Sequence, residues 1–199
     1  PAPRLVHFFG DPESKNAPLG KDVLGGKGAS LAAMSCAKLP VPPGFTISIP
    51  CCQYYHEQGS EWPQGLENEL KACLLRLETV TNKRFGKAAD PLLVSVRSGA
   101  AASMPGMMDT ILNCGLHPAM APEMPDEDHF WTVYAQFVRQ FAHTVANIPR
   151  ASFDNVADRI DEPSGVSKDQ ANAYIELYEH ESGRTFPTSA WGALCECIN

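Results

Sequence analysis

The chain has 199 residues, of which 44% are hydrophobic and 20% are charged, a balance typical of globular proteins with a hydrophobic core. Its formal net charge of -7 argues against nucleic-acid binding, which needs clustered Lys and Arg. No apolar run reaches the roughly 18 residues that a membrane helix needs. We therefore expect a soluble intracellular protein that binds neither nucleic acid nor membrane.

The amino-terminal part predicts two short strands around a helix. Residues 5–9 are mostly apolar and β-branched or aromatic, which predicts a strand. Residues 24–34 form a glycine loop that runs into a helix of small and apolar residues, and the prolines of residues 39–44 end that helix. Residues 45–49 alternate in polarity and predict a second strand.

The middle of the chain predicts a helix followed by a buried strand. Over residues 64–80 the apolar side chains recur at three- and four-residue steps, which predicts an amphipathic helix. Residues 91–96 form a nearly continuous apolar run, which predicts a buried strand with Arg97 at its carboxyl end. A short apolar piece around Ile111 and Leu112 follows a loop rich in glycine and methionine.

After Leu116 the pattern changes to a proline-rich linker and then to helices. Aromatic and aliphatic residues over 130–145 follow the helical period, and this stripe is expected to be core. Three further helices are expected, around residues 153–160, from Ser167 and near Thr188. The fold class is therefore α+β, with an α+β domain over residues 1–116 and a mostly helical subdomain over residues 117–199.

The segment Gly25-Gly26-Lys27-Gly28 lies at the predicted start of the first helix. Glycines allow a ligand to approach the backbone, the N–H groups at a helix start are unpaired donors, and Lys27 adds a positive charge. Phosphate is the anion that such a segment suits. It is not a P-loop, because position 21 is Lys and position 28 is Gly. The alternative is a solvated turn with an exposed lysine.

Arg97 follows the apolar strand, where sheets commonly present side chains to ligands. Its planar guanidinium can bind two phosphate oxygens at once. The alternative is an arginine that pairs with a surface carboxylate. The next loop has three methionines within residues 104–108, which predicts either an apolar wall beside a nucleotide or residues that pack on the sheet.

The seven cysteines and six histidines are scattered along the chain. No CxxC pair occurs, so we expect reduced thiols in a cytosolic, plastid or peroxisome-like compartment. Cys195 and Cys197 are close in sequence but have no neighbouring Cys or His to complete a zinc site. We therefore expect no metal site built from this chain alone.

Three segments, in order, resemble the signatures of pyruvate phosphate dikinase. They are residues 24–34 (LGGKGASLAAM), residues 39–47 (LPVPPGFTI) and residues 90–113, which include Val94-Ser95-Val96-Arg97-Ser98-Gly99 and Ser103-Met104-Pro105-Gly106-Met107-Met108-Asp109-Thr110. The last stretch also distinguishes this family from the related phosphoenolpyruvate synthase. The resemblance is strong over residues 20–115 and looser beyond.

The resemblance implies part of an ATP-grasp-type nucleotide-binding domain followed by a helical subdomain. The family converts ATP, phosphate and pyruvate to AMP, pyrophosphate and phosphoenolpyruvate through a histidine on another domain. Lys27 and Arg97 are similar to the residues that contact the ATP phosphates. Gly25, Gly26 and Gly28 belong to the same binding segment, and Met108 is similar to a residue near the nucleotide. The family commonly has a basic residue where this chain has Ala101.

The resemblance also implies what lies elsewhere in the full-length enzyme. The second ATP-grasp lobe, with the acidic Mg²⁺ ligands, is expected beyond Asn199, as are the histidine domain and the pyruvate-binding barrel. The full-length enzyme is compatible with a homodimer. We expect no complete turnover by this chain alone. Two alternatives stay open: a non-catalytic nucleotide- or partner-binding module derived from the dikinase, and a segment of a related phosphotransferase.

Overall fold

A computed structural model describes residues 4–10, 19–98, 110–157 and 166–199. Within these ranges the chain forms two compact units, each with its own buried side chains. The first comprises residues 4–10 and 19–82, and the second comprises residues 83–98, 110–157 and 166–199. The division between an amino-terminal lobe over residues 1–116 and a helical subdomain over 117–199 stays a prediction.

The first unit consists of a two-stranded sheet and three helices. Their bounds are β1 (Val6–Phe9), α1 (Lys21–Cys36), β2 (Gly44–Ile47), α2 (Ile49–Glu57) and α3 (Leu66–Thr81). The two strands pair antiparallel, with Val6 opposite Ile47 and Phe9 opposite Gly44. The buried face of α3 consists of leucines at four- and three-residue steps, which places them on one side of the helix: Leu66, Leu70, Leu74 and Leu77.

The carboxylate of Glu69 connects α3 to the beginning of β1. Its Oε2 atom accepts hydrogen bonds from the backbone N–H groups of Leu5 and Val6, both at 2.9 Å. Hydrogen bonds to an ionised acceptor are roughly twice as strong as neutral ones. This pair of bonds therefore fixes the start of β1 against the helix and, through the strand pairing, fixes β2 as well.

The second unit contains two small sheets and four α-helices. The strands are β3 (Arg84–Phe85), β4 (Pro91–Leu92), β5 (Val94–Arg97) and β6 (Thr110–Cys114). A 3₁₀ helix at Pro118–Glu123 is followed by α4 (Glu127–Ala146), α5 (Arg150–Ala157), α6 (Val166–Ser182) and α7 (Ala190–Ile198). Strands β3 and β4 pair in parallel, and β5 and β6 pair antiparallel.

Aromatic rings of α4 and α6 form the core of the second unit. Phe141 on α4 has no exposed surface, and its ring centroid lies 5.8 Å from that of Tyr178 and 5.0 Å from that of Phe186. Tyr178 and Phe186 are themselves 5.3 Å apart. Edge-on and tilted contacts at these distances add to the free energy gained by burying the rings.

The combination of helices and small sheets fits the expected α+β class. The helices predicted over residues 64–80 and 130–145 are confirmed, as are the strands at residues 5–9 and 45–49, although the second ends at Ile47. The prediction of a fully buried strand over residues 91–96 is wrong. Only Leu92 is buried there, since β5 has a single partner strand among the described residues and alternates between half-buried and exposed side chains.

We expect Phe141→Ala to lower the free energy of unfolding by about 3–5 kcal/mol, because it leaves a cavity among the aromatic rings. Leu112→Ala is the control from the same unit, since Leu112 is 43% exposed, and it should cost less than about 1 kcal/mol. Urea unfolding followed by circular dichroism measures both. Equal losses in the two variants would show that this aromatic cluster is not the core.

Candidate functional site

Helix α1 is interrupted at Gly25, inside the predicted anion-binding segment. Gly25 has φ 69° and ψ 175°, a backbone region that is essentially restricted to glycine. One helical turn therefore ends before Gly25, and a second helical segment begins at Gly26. The first N–H groups of a helical segment have no carbonyl partner within it, so the backbone of Gly26, Lys27 and Gly28 is placed at a positive helix end.

Gly28 packs against strand β2. It is buried, and a Cβ atom on it would lie 2.9 Å from Thr46 Cγ2 and 3.1 Å from Leu24 Cβ. A side chain at this position would therefore push α1 away from β2. In contrast, a Cβ atom on Gly25 or Gly26 would meet no atom of the described residues within 4 Å. Gly28 thus has a packing function, while Gly25 and Gly26 face open space.

Lys27 is exposed on the second helical segment. Within the described ranges, no carboxylate lies within 4.0 Å of its ammonium group. A lysine at the positive end of a helix adds to the helix dipole instead of offsetting it. This position is unfavourable for the helix by itself and becomes favourable when an anion binds there. The exposure of Lys27 also fits the alternative of an ordinary solvated lysine, so its role in anion binding stays a prediction.

Arg97 is the last residue of β5 and lies opposite Thr110 of β6. Along β5, Val94 and Val96 are half-buried while Ser95 and Arg97 are exposed. Since side chains alternate between the faces of a strand, Arg97 projects from the open face. Among the residues that the structure describes, its guanidinium has no carboxylate within 4.0 Å, so pairing with a surface carboxylate is not observed there.

An irregularity in β6 lies opposite Ser95, in the strand pair that carries Arg97. Val94 lies opposite Cys114 and Val96 opposite Ile111, so β6 contains one extra residue between these pairs. Asn113, within this bulge, has φ 59°, a conformation that asparagine tolerates better than most residues. The N–H of Leu112 donates instead to Oε1 of Gln140 on α4, at 2.8 Å. The bulge and this bond hold β6 on the helix.

The predicted site residues fall into three groups. Lys27 lies with Gly25, Gly26 and Gly28 on α1 of the first unit. Arg97 lies on β5 of the second unit. Met108 is outside the described residues, and so is the departure from the family pattern at Ala101. Sequence reasoning missed Thr46, Asn113 and Gln140, of which only Asn113, in an Asn-Cys-Gly sequence, had a recognisable signal.

Cys51 and Cys197 have the character of structural thiols. Burial, with smaller effects from Cys52 and Glu69, raises the pKa of Cys51 to about 11. A hydrogen bond with the Cys114 thiol, together with burial, raises the pKa of Cys197. Thiols with raised pKa stay protonated near neutral pH and are poor nucleophiles. No set of three or more Cys, His, Asp or Glu side chains in the described ranges is arranged to hold a metal ion.

Comparison with known proteins identifies the relatives of the chain. It is 38% identical over 180 residues to a pyruvate, phosphate dikinase of Rickettsia conorii and 39% identical over 198 residues to the chloroplastic pyruvate, phosphate dikinase 1 of Oryza sativa subsp. japonica. It is 40% identical over 213 aligned positions to the pyruvate, phosphate dikinase of Giardia intestinalis. The chain is homologous to the pyruvate, phosphate dikinases. No protein-family model matches it.

These alignments include most of the chain but only part of each dikinase. They cover 88%, 93% and 98% of the chain, and 20%, 21% and 24% of the Rickettsia, Oryza and Giardia proteins respectively. The chain thus spans about a fifth of the length of the dikinases that it matches. These relatives include bacterial and chloroplastic proteins. Among the described helices, none has the length and apolar character required to cross a membrane.

We expect Gly25→Ala to lower the free energy of unfolding by about 1–3 kcal/mol, because alanine is strained at this φ and ψ. Gly26→Ala is the matched control. It has the same open surroundings but helical angles, so it should stabilise the protein slightly, by up to about 1 kcal/mol. Urea unfolding of the two variants measures the difference. A Gly25→Ala variant as stable as Gly26→Ala would contradict the break in α1.

Proposed function

We propose that this chain is the ATP-binding segment of a pyruvate phosphate dikinase, part of an ATP-grasp-type domain. The observation that supports this most directly is the identity of 36–41% with pyruvate, phosphate dikinases over most of the chain. In the full-length enzyme the segment holds ATP while a phosphoryl group is transferred to a histidine on another domain. The products of the complete reaction are AMP, pyrophosphate and phosphoenolpyruvate.

Lys27 and the backbone of Gly25 and Gly26 bind the ATP phosphates in this proposal. Three features of α1 support it: the break at Gly25, the open space beside Gly25 and Gly26, and the exposed cation at the positive helix end. The chain has a net charge of -7, so its overall field repels a nucleotide. Binding therefore depends on donors within a few ångströms of the phosphates.

Arg97 binds phosphate oxygens of the same ATP molecule in this proposal. Its exposure at the end of β5 leaves the planar guanidinium available for two parallel hydrogen bonds. Met108 lies near the nucleotide, as the family resemblance implies, where a flexible thioether adapts to a flat apolar base. Gly28 contributes indirectly, because its contact with Thr46 positions the helical segment that carries Lys27.

The chemistry required of these residues is mainly electrostatic. Phosphoryl transfer spreads negative charge over the phosphate oxygens, and the enzyme accelerates it by positioning the reactants and by stabilising that charge. Lys27 and Arg97 supply fixed positive charge. Mg²⁺ neutralises phosphate charge when it is bound, and we place its acidic ligands in the second ATP-grasp lobe, outside this chain.

We expect Lys27→Ala and Arg97→Ala in the full-length protein each to lower the rate of AMP formation from ATP and phosphate by about 10²-fold or more. Each change removes a cation that stabilises the transferring phosphoryl group. The rate is measured in a single turnover, so that product release does not mask the effect. Circular dichroism checks that the variants are folded.

The matched controls are Lys71→Ala and Arg139→Ala. Both residues form exposed ion pairs, with Glu67 and Asp154 respectively, and exposed pairs contribute little to stability. These variants should keep nearly full activity. Near-normal AMP formation in both Lys27→Ala and Arg97→Ala would remove the two residues from the nucleotide site.

A further inference from the structure

A cleft lies entirely within the second unit, beside the 3₁₀ helix. Its volume is about 330 Å³, at the lower end of the range for small-molecule sites. Neither Lys27 nor Arg97 is among the described residues that line it. The walls combine charged, polar and apolar residues, which include Arg84, Gly86, Lys87, His117, Met120 and Glu123.

The charges that line this cleft do not cancel, and the excess is positive. Arg84 and Lys87 carry one positive charge each, and Glu123 carries one negative charge, which leaves a net charge of +1 in a chain of net charge -7. Within the described ranges neither Arg84 nor Lys87 has a carboxylate within 4.0 Å. The guanidinium of Arg84 makes one hydrogen bond, from Nη1 to the carbonyl of Lys83 at 3.2 Å. Two cations with free donors therefore face the same cavity.

His117 fixes the loop that carries Lys87. Its Nε2–H donates to the carbonyl oxygen of Gly86 at 3.1 Å. Since His117 directly precedes the 3₁₀ helix, this bond joins the loop to the start of that helix. In the neutral ring Nδ1 is then an acceptor. This atom is buried and has no hydrogen-bond partner among the described residues, which is costly for a polar atom.

We propose that this cleft binds a small phosphate monoester. Arg84 and Lys87 bind the phosphate group. Two cations that line one cleft match a doubly charged phosphate ligand better than they match a singly charged carboxylate ligand. The buried Met120 provides an apolar contact for the carbon skeleton. Glu123 accepts a hydrogen bond from a ligand hydroxyl group. The proposal does not depend on the nucleotide site at Lys27 and Arg97.

The test is a titration of the protein with glycerol 3-phosphate, followed by the ring-proton NMR signals of His117, which His117→Gln assigns. We expect saturable shifts, and at least about tenfold weaker binding in Arg84→Gln and Lys87→Gln, since each loses a charged hydrogen bond. Lys71→Gln is the control for an exposed lysine and should bind as the wild-type protein does. Lys27→Ala should also bind normally, which separates this site from the proposed ATP site.

Two further titrations, with inorganic phosphate and with acetate, identify the ligand class. Inorganic phosphate should bind more weakly than glycerol 3-phosphate, because it does not reach Met120 and Glu123 together. Acetate should bind more weakly still, because it carries one charge. The proposal is overturned if glycerol 3-phosphate gives no saturable shift, if Arg84→Gln and Lys87→Gln bind as tightly as Lys71→Gln, or if acetate or inorganic phosphate binds as tightly as the ester.

Discussion

The contact between Gly28 and Thr46 is the constraint on which the candidate nucleotide segment depends. Because Gly28 has no side chain, the second part of α1 lies directly on β2, with the position of a Cβ atom only 2.9 Å from Thr46 Cγ2. Strand β2 is in turn paired with β1, whose first N–H groups are bound by the Glu69 carboxylate of α3. The backbone break at Gly25 then turns the start of this fixed helix toward open space, with Lys27 beside it.

The distribution of charge supports the same interpretation. The chain is acidic as a whole, yet several cations have no carboxylate within 4.0 Å in the described ranges, among them Lys27 on α1, Arg97 on β5, and Arg84 and Lys87 beside the 3₁₀ helix. Solvated surface lysines are common and need no ligand. A lysine at a positive helix end and two cations that line one cleft are less favourable arrangements. Proteins commonly retain such unfavourable placements of positive charge where an anion is bound.

The periodic helices could be predicted from the sequence. Because one face of α3 and of α4 is buried, their apolar residues recur at three- and four-residue steps. Helix α2 was missed, since Ile49 extends the apolar pattern of β2. Two signals for the helix were present. The side chain of Ser48 caps the helix by accepting a hydrogen bond from the N–H of Cys51, and Pro50 lies in its first turn.

The exposure of β5 could not be predicted, because an apolar run does not reveal how many partner strands cover it. Likewise, a glycine pattern does not reveal whether Gly28 faces a ligand or a neighbouring strand. Only the packing against Thr46 distinguishes these cases.

The relatives show that the chain is homologous to the dikinases, whereas the roles of individual residues rest on local geometry and family resemblance. The central claim is that Lys27 and Arg97 bind the phosphates of one ATP molecule. A crystal structure of the full-length protein with a non-hydrolysable ATP analogue and Mg²⁺ tests it most directly. The account predicts that Nζ of Lys27 and the guanidinium of Arg97 each lie about 2.7–3.0 Å from phosphate oxygens of the analogue. An analogue bound with either side chain turned into solvent, away from the phosphates, would contradict it.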